Sequence, residues 1–336
     1  MSKNIFKPDP LLDSALRPKS WRDFVGQEKI KKNLQIMLES ARKRKESPDH
    51  LLFYGPAGLG KTTLAHLISW EMNAGIKVTS GPAIEKAGDV ASILTNLNEG
   101  DILFIDEAHR LNKLIEEILY SAMESRVLNL ILGKGPSART VQLELPAFTL
   151  IAATTRMGLL SSPLRSRFGA IFKLDFYENE DIEKIIKHNA QVLEIEIEPQ
   201  AIKVLALASR ATPRIANRLL KRSRDLAVVE GNGIITDEIG KRSLGLFEID
   251  EVGLEATDRK ILETIIDKFS GGPVGIAALA AATNEERDTV EEVYEPYLMR
   301  LGLIERTPKG RIITDAGYKH LNLHNLKKNK QEKLLD

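Results

Sequence analysis

Eight consecutive residues, Gly55-Pro56-Ala57-Gly58-Leu59-Gly60-Lys61-Thr62, constrain this 336-residue chain more than any others. They fit G-x-x-x-x-G-K-[ST] and lie between an apolar run at 51–54 and a helical stripe through Leu64, Ala65, Ile68 and Met72. A strand, a glycine loop and a helix in that order let backbone N–H groups curl around phosphates without interference from Cβ atoms. Lys61 then neutralises β- and γ-phosphate charge, the Thr62 hydroxyl offers an oxygen to Mg2+, and the helix start adds its positive end. A loop of this kind belongs to an α/β domain with a parallel sheet and predicts binding of ATP or ADP.

Further along, 101–105 is an apolar run that ends in Asp106-Glu107. Behind a phosphate loop, the first carboxylate suits Mg2+, directly or through water, and the second suits orientation and deprotonation of an attacking water. A third apolar run, 148–153, ends in Thr154-Thr155-Arg156, where a hydroxyl such as that of Thr155 can sense the γ-phosphate. Arg165 and Arg167 follow in one basic loop. Arginine fits transferring phosphate because its rigid fork stays charged, yet residue type alone does not choose between the two. Arg214 stands just after Thr212-Pro213, a cap followed by proline at a helix start, where a cation calls for a nearby anion. Arg210, Arg214, Arg218 and Arg222 read as an i, i+4 basic stripe.

Composition limits the alternatives. The chain has no cysteine, which excludes a disulfide framework, a cysteine zinc site and a thiol nucleophile. A net charge of +1 excludes a polycation that coats nucleic acid, so any DNA contact must come from local clusters. No secretory signal opens the sequence, and no apolar run approaches the ~18 residues that span a membrane, so a cytoplasmic protein is expected with no membrane partner.

Three zones and a tail emerge. Residues 1–176 hold the alternating strands and helices of the ATPase core, and 177–250 give helical stripes at 180–193, 199–210 and 213–229. Residues 251–320 give a helix ending at Gly271-Gly272-Pro273, a second helix over 274–282, and a third opened by a capping box at Thr283-Asn284-Glu285-Glu286. A hairpin around Thr307-Pro308-Lys309-Gly310 follows, which makes a winged helix-turn-helix. Residues 321–336 form a lysine-rich tail. Arg306 and Arg311 flank the hairpin turn and Arg287 begins the third helix, a set suited to DNA phosphates. Between two core strands lies an inserted hairpin, 127–145, whose apolar residues Leu128 and Leu130 fit either an ordinary packed hairpin or an arm that a partner or DNA covers.

Taken in order, these motifs resemble the AAA+ ATPases. The wording of Leu16-Arg17-Pro18, Asp106-Glu107-Ala108-His109-Arg110-Leu111, Pro163-Leu164-Arg165-Ser166-Arg167-Phe168-Gly169, Thr212-Pro213-Arg214-Ile215-Ala216-Asn217-Arg218 and Arg306-Thr307-Pro308-Lys309-Gly310-Arg311 is more specific. It resembles the family of bacterial Holliday-junction branch-migration motors from about residue 16 to residue 314. The resemblance implies a P-loop AAA+ core, a small helical lid and a winged helix, assembled as a hexameric ring on double-stranded DNA at four-way junctions. It implies nucleotide contacts at Leu16, Arg17, Gly58, Gly60, Lys61, Thr62, Thr63, Tyr177 and Arg214, with the backbone around Glu124, Ser125 and Arg126 completing the pocket. It assigns the arginine finger to Arg167, DNA contacts to Arg287, Arg306 and Arg311, and docking of the junction-binding partner RuvA to the inserted hairpin; RuvC resolvase extends the partner list. Four positions depart from the family's usual wording: Ala57, Ala108, Ala152 and Ser166, the last where an aspartate beside the finger is usual.

Two other classes compete on the residues alone. A transcription regulator would use the winged helix to read sequence and ATP as a switch, whereas a clamp-loader subunit would end in a helical third domain, against the hairpin after Leu303.

Overall fold

The computed structural model describes residues 15–132 and 139–323; Gly133-Lys134-Gly135-Pro136 and the lysine-rich stretch beyond 323 lie outside them. The chain folds as two compact units, divided in the sequence between Tyr177 and Glu178.

The first unit is a parallel sheet clad in helices. Its strands are β1 (Leu51–Tyr54), β2 (Ile76–Ser80), β3 (Ile102–Asp106), β6 (Thr149–Thr154) and β7 (Ala170–Lys173), in the order β2-β3-β6-β1-β7. Strands β4 (Val127–Leu132) and β5 (Arg139–Glu144) form the separate inserted hairpin. β6 is buried at every position and β1 and β3 at all but the last, as expected of strands covered on both faces. β2 is half exposed along its length because it forms a sheet edge. Around the sheet lie α1 (Glu28–Arg44), α2 (Lys61–Met72), α3 (Ala87–Thr95), α4 (Lys113–Ser125) and α5 (Ser162–Ser166). The core between α3, α4 and the sheet gathers Ile84, Val90, Leu103, Ile105, Ile115, Leu119 and Phe168.

Leu128 belongs to this core and is 1% exposed. The expectation that it faces a partner is therefore corrected: the apolar face of the hairpin near the sheet is covered by the chain itself. The backbone of Leu130 pairs with Val141, while its side chain lies outside the described set.

The second unit opens with the helices α6 (Asn179–Val192), α7 (Pro199–Leu207), α8 (Pro213–Glu230) and α9 (Asp237–Leu246). A two-residue parallel pair, β8 (Glu196–Ile197) with β9 (Ile234–Ile235), aligns the starts of α7 and α9. The helices α10 (Ala256–Asp267), α11 (Ile276–Thr283), a third helix beginning at Arg287, the antiparallel wing β10 (Ile304–Thr307) with β11 (Gly310–Ile313), and a last helix Asp315–His320 follow. The third helix runs as Arg287–Thr289, a π-helical stretch Val290–Tyr294, and Glu295–Arg300.

Three local expectations change. The Thr283 hydroxyl bonds back to Leu279 O within α11, and Asn284 takes a left-handed cap, so Thr283 ends one helix instead of opening the next. Thr212 occupies the N-cap of α8 without a side-chain cap, its hydroxyl donating to Ser209 O at 3.2 Å; Pro213 does stand at the helix start. Arg210 is not on the α8 face at all. It precedes the helix at φ 54°, followed by Ala211 at φ 53°, which breaks the i, i+4 stripe. Among the described residues no helix is long and apolar enough to cross a membrane.

Candidate functional site

The carboxyl ends of the parallel strands carry the chemistry, the place where open α/β sheets bind ligands. β1 leads into the phosphate loop, β3 ends at Asp106 and β6 ends at Thr154, with β6 lying between the other two. Gly55 has φ +139°, and a Cβ there would meet Leu174 O at 2.3 Å, so the loop closes over the end of β7 only because that atom is missing. Gly58 and Gly60 also take positive φ, of 82° and 99°, and α2 begins directly at Lys61. A glycine loop in these conformations running straight into a helix start is the arrangement that cradles phosphate oxygens.

Lys61 is 8% exposed, and its ammonium donates to Gly55 O and Pro56 O, each at 2.7 Å. The Thr62 hydroxyl lies 3.5 Å from Asp106 Oδ2. A hydroxyl and a carboxylate at that spacing are the hard oxygen pair that Mg2+ takes while keeping its waters and phosphate ligands. Asp106 Oδ1 accepts the Glu107 N–H at 2.9 Å, and Glu107 stands at φ 48°. That left-handed turn swings its half-exposed carboxylate away from the strand, where Arg110 meets it at 3.3 Å.

Thr154 is 1% exposed; its hydroxyl pairs with His109 Nδ1 at 3.0 Å and accepts the Arg156 N–H at 2.9 Å. Thr155 is half-buried, one step past β6. Tyr177 is buried, and its hydroxyl donates to Leu59 O at 3.2 Å. Leu16 is buried and Arg17 half-buried; burial first, and then the Arg17 charge, depress the His66 pKa on α2. Thr63 is half-buried on the first turn of α2.

Arg167 is held on its own domain. Its guanidinium donates to the Tyr120 hydroxyl at 2.6 Å, pairs with Glu124 at 2.7 Å and stacks over the Tyr120 ring at 4.6 Å. The bond to Tyr120 is the main cause that pushes its pKa further up. Ser166, in the position where an acid is usual, instead donates to Pro163 O. Glu124, Ser125 and Arg126 form the end of α4, with Arg126 in a left-handed cap at φ 55°. Tyr120 and His109 are site residues that motif reading passed over. Tyr120 sits one helical turn before Glu124, and that i, i+4 spacing was the available signal.

In the second unit, Arg214 is exposed on the first turn of α8. Arg287 is exposed at the start of the third helix of the winged fold. The wing arginines differ. Arg311 is 8% exposed and grips Glu295, itself 2% exposed, at 2.9 and 3.1 Å. Arg306 bonds the same carboxylate at 2.8 Å but leaves 47% of its side chain exposed. Burial would raise the Glu295 pKa, but hydrogen bonds from Arg306 and Arg311 outweigh it and hold the carboxyl below its usual range. Arg311 therefore braces the hairpin, which alters the expectation that it is chiefly a phosphate contact.

A glycine phosphate loop, an Asp-Glu strand end, a strand between them and an arginine on the same domain define a P-loop ATPase of the AAA+ class. Family models agree along nearly the whole chain. The P-loop domain of the Holliday junction DNA helicase RuvB matches residues 16–174, the RuvB AAA lid domain 177–250, and the RuvB C-terminal winged helix domain 251–322. The RuvB Holliday junction branch migration complex subunit of Dehalococcoides mccartyi strain CBDB1 is 53% identical over 333 residues, covering 98% of this chain and 95% of that one. The subunit of the same name from Clostridium kluyveri is 55% identical over 308 residues, covering 92% and 88%. The solved Thermotoga maritima RuvB Holliday junction branch migration motor superposes with a TM-score of 0.85 at 51% identity, over 92% of this chain and 99% of that one. The chain belongs to the RuvB family.

Proposed function

We propose that this protein is an ATP-driven motor that moves double-stranded DNA through a hexameric ring and drives branch migration of Holliday junctions in recombination and repair. The observation that carries the reading is the convergence of Lys61, Thr62, Asp106 and Glu107 at the carboxyl end of the sheet, on a chain that also carries a winged helix.

Lys61, Thr62, Thr63 and the loop glycines Gly58 and Gly60 bind the phosphates, with Leu16, Arg17, Tyr177 and Arg214 as further nucleotide contacts. Thr62 and Asp106 would hold Mg2+, which supplies charge neutralisation to the phosphates. Glu107 orients the attacking water and accepts its proton; Thr155 senses the γ-phosphate. Arg167, paired with Glu124, serves the nucleotide of a neighbouring subunit, and the backbone around Glu124, Ser125 and Arg126 completes the nucleotide pocket. Residues 1–176 are the motor core, 177–250 the lid and 251–320 the DNA module. Arg287 and the exposed part of Arg306 contact DNA phosphates without reading bases. The β4–β5 hairpin docks the junction-binding protein RuvA through its outward residues, such as Asn129 and Gln142, and RuvC joins the same assembly.

The test is steady-state ATP turnover with four-way junctions, linear duplex or no DNA, alongside strand-exchange on a mobile junction. Stimulation by junctions with migration of the branch point is expected. Sequence-specific binding with turnover indifferent to junctions would overturn the reading in favour of a transcription regulator.

A further inference from the structure

Arg210 belongs to the lid by sequence, yet its side chain is spent on the winged helix. It is 5% exposed, and its guanidinium forks onto Asp258 at 2.8 and 3.3 Å. The same guanidinium donates to Val293 O at 3.2 Å and lies over the Tyr297 ring at 4.7 Å. Asp258 is fully buried and also accepts the Glu255 N–H at 2.8 Å, which fixes the start of α10. One lid residue thus touches the first helix of the winged fold, the π-helical stretch Val290–Tyr294, and the helix that follows it.

The backbone is bent to make this reach. Arg210 and Ala211 are both left-handed, a conformation that Cβ-bearing residues avoid unless their surroundings impose it. The loops interlock there as well: a Cβ on Gly253, at φ +83°, would meet Ala208 O at 2.5 Å and the Arg210 side chain at 3.2 Å. Tyr297, under the guanidinium, donates its hydroxyl to Val252 O.

On the far side of the π-helical stretch the next residue is Glu295, the carboxylate that holds both Arg306 and Arg311. On the near side of Arg210, α8 begins at Pro213 and carries Arg214 in its first turn. Direct contacts therefore run from the start of α8 to the wing hairpin. A buried ion pair adds little net stability over a well-packed apolar pair, but its fixed fork geometry specifies one orientation.

We propose that Arg210 is a positioning residue for translocation: through Asp258, Val293 and Tyr297 it makes the lid and the winged helix one rigid lever, so that rotation of α8 is delivered to the DNA-facing wing. This rests on the DNA-motor reading above. A simple apolar contact would let the two parts slide; a buried guanidinium with three separate partners does not.

The test uses the full chain, whose lack of cysteine permits clean labelling. Spin labels on cysteines placed at Val229, 82% exposed at the end of α8, and at exposed Glu305 on β10 report the lid-to-wing distance without DNA. The parent should give one narrow distribution, which broadens in Arg210→Lys and in the double variant Arg210→Met/Asp258→Leu. The double variant guards against unfolding, because it replaces the pair with apolar side chains instead of stranding a buried charge. In unlabelled protein, basal ATPase should persist in both variants while branch-point movement per ATP hydrolysed falls about tenfold, within the usual range of a coupling constant. A broad distribution in the parent, or a narrow one with intact coupling in the double variant, overturns the lever. Loss of basal ATPase in step with migration also overturns it, by placing Arg210's influence on the nucleotide site. A parent that hydrolyses ATP but never moves a junction sinks the motor reading instead, and the label distances still decide the lever.

Discussion

Replacing Arg311 with alanine should destabilise the second unit more than it weakens DNA binding. Arg311 is 8% exposed against Glu295 at 2%, so the substitution strands a buried carboxylate. Removing one partner of a buried ion pair costs about 3–5 kcal/mol. Here Arg306 still bonds Glu295 Oε1 at 2.8 Å, which places the loss near about 3 kcal/mol at the lower end of that range. For a unit of this size, each kcal/mol shifts the melting temperature by roughly 2–4 °C, so a drop of about 6–12 °C is expected. Differential scanning calorimetry of the full chain reads it. The companion measurement is duplex affinity against salt for Arg287→Ala, whose exposed guanidinium is free to neutralise one phosphate. Its slope should fall by about 0.9 with no change in melting. The reasoning fails if Arg311→Ala melts with the parent while its own salt slope drops by the same amount, because Arg311 would then be a phosphate ligand and not a brace.

Four further outcomes are expected. Glu107→Gln should bind ATP normally and lose turnover by roughly 10²–10⁴-fold, since the amide cannot take the water's proton; an unimpaired steady-state rate excludes Glu107 as the base. Arg167→Ala should lose about 10³-fold in turnover and recover part of it when mixed with Lys61→Ala, whose intact finger serves the other's intact pocket; no recovery at any ratio means that the arginine acts within its own subunit. Leu128→Ser should cost about 2–5 kcal/mol of stability as a core cavity, read by chemical denaturation, while exchanging exposed Asn129 leaves stability unchanged. Glu295 has a depressed folded-state pKa, so its contribution is present above the ordinary glutamate value of about 4.3 and is lost as pH falls through the folded value. Melting temperature should therefore fall with acid in that window, and Glu295→Gln should flatten the dependence.

The phosphate loop and the Asp-Glu strand were legible because their chemistry is contiguous: five to eight neighbouring residues carry it, and flanking apolar runs declare strand and helix. The edge strand β2 was not, since half-exposed Ile76–Ser80 has no continuous apolar run to announce it. Arg210 misled for a specific reason. Counting i, i+4 assumes one helix through Ala211, and two consecutive left-handed residues cancel that assumption. Leu128 misled because an apolar residue on an inserted hairpin calls for a covering surface without saying whether that surface is the chain's own core. The partners of Arg167 were hidden because Tyr120 lies 47 residues away in sequence and only the fold joins them.

The two halves of the second unit meet in sequence at 250/251, where the lid and winged-helix family models abut, but nothing in the packing makes that peptide bond a seam. Arg210 is buried against Asp258, Arg218 reaches Glu255, Arg259 donates to Glu248 O and His320 meets Asp250, so polar ties cross it repeatedly. Each piece matches a family model of just over 70 residues, a size that buries only a little over about 60% of its chain's surface, and each would also expose half of an ion pair. The family-model boundary at 250 is therefore not a boundary in the packing. A graft of this winged helix onto another motor would have to carry the lid from Glu178 onward.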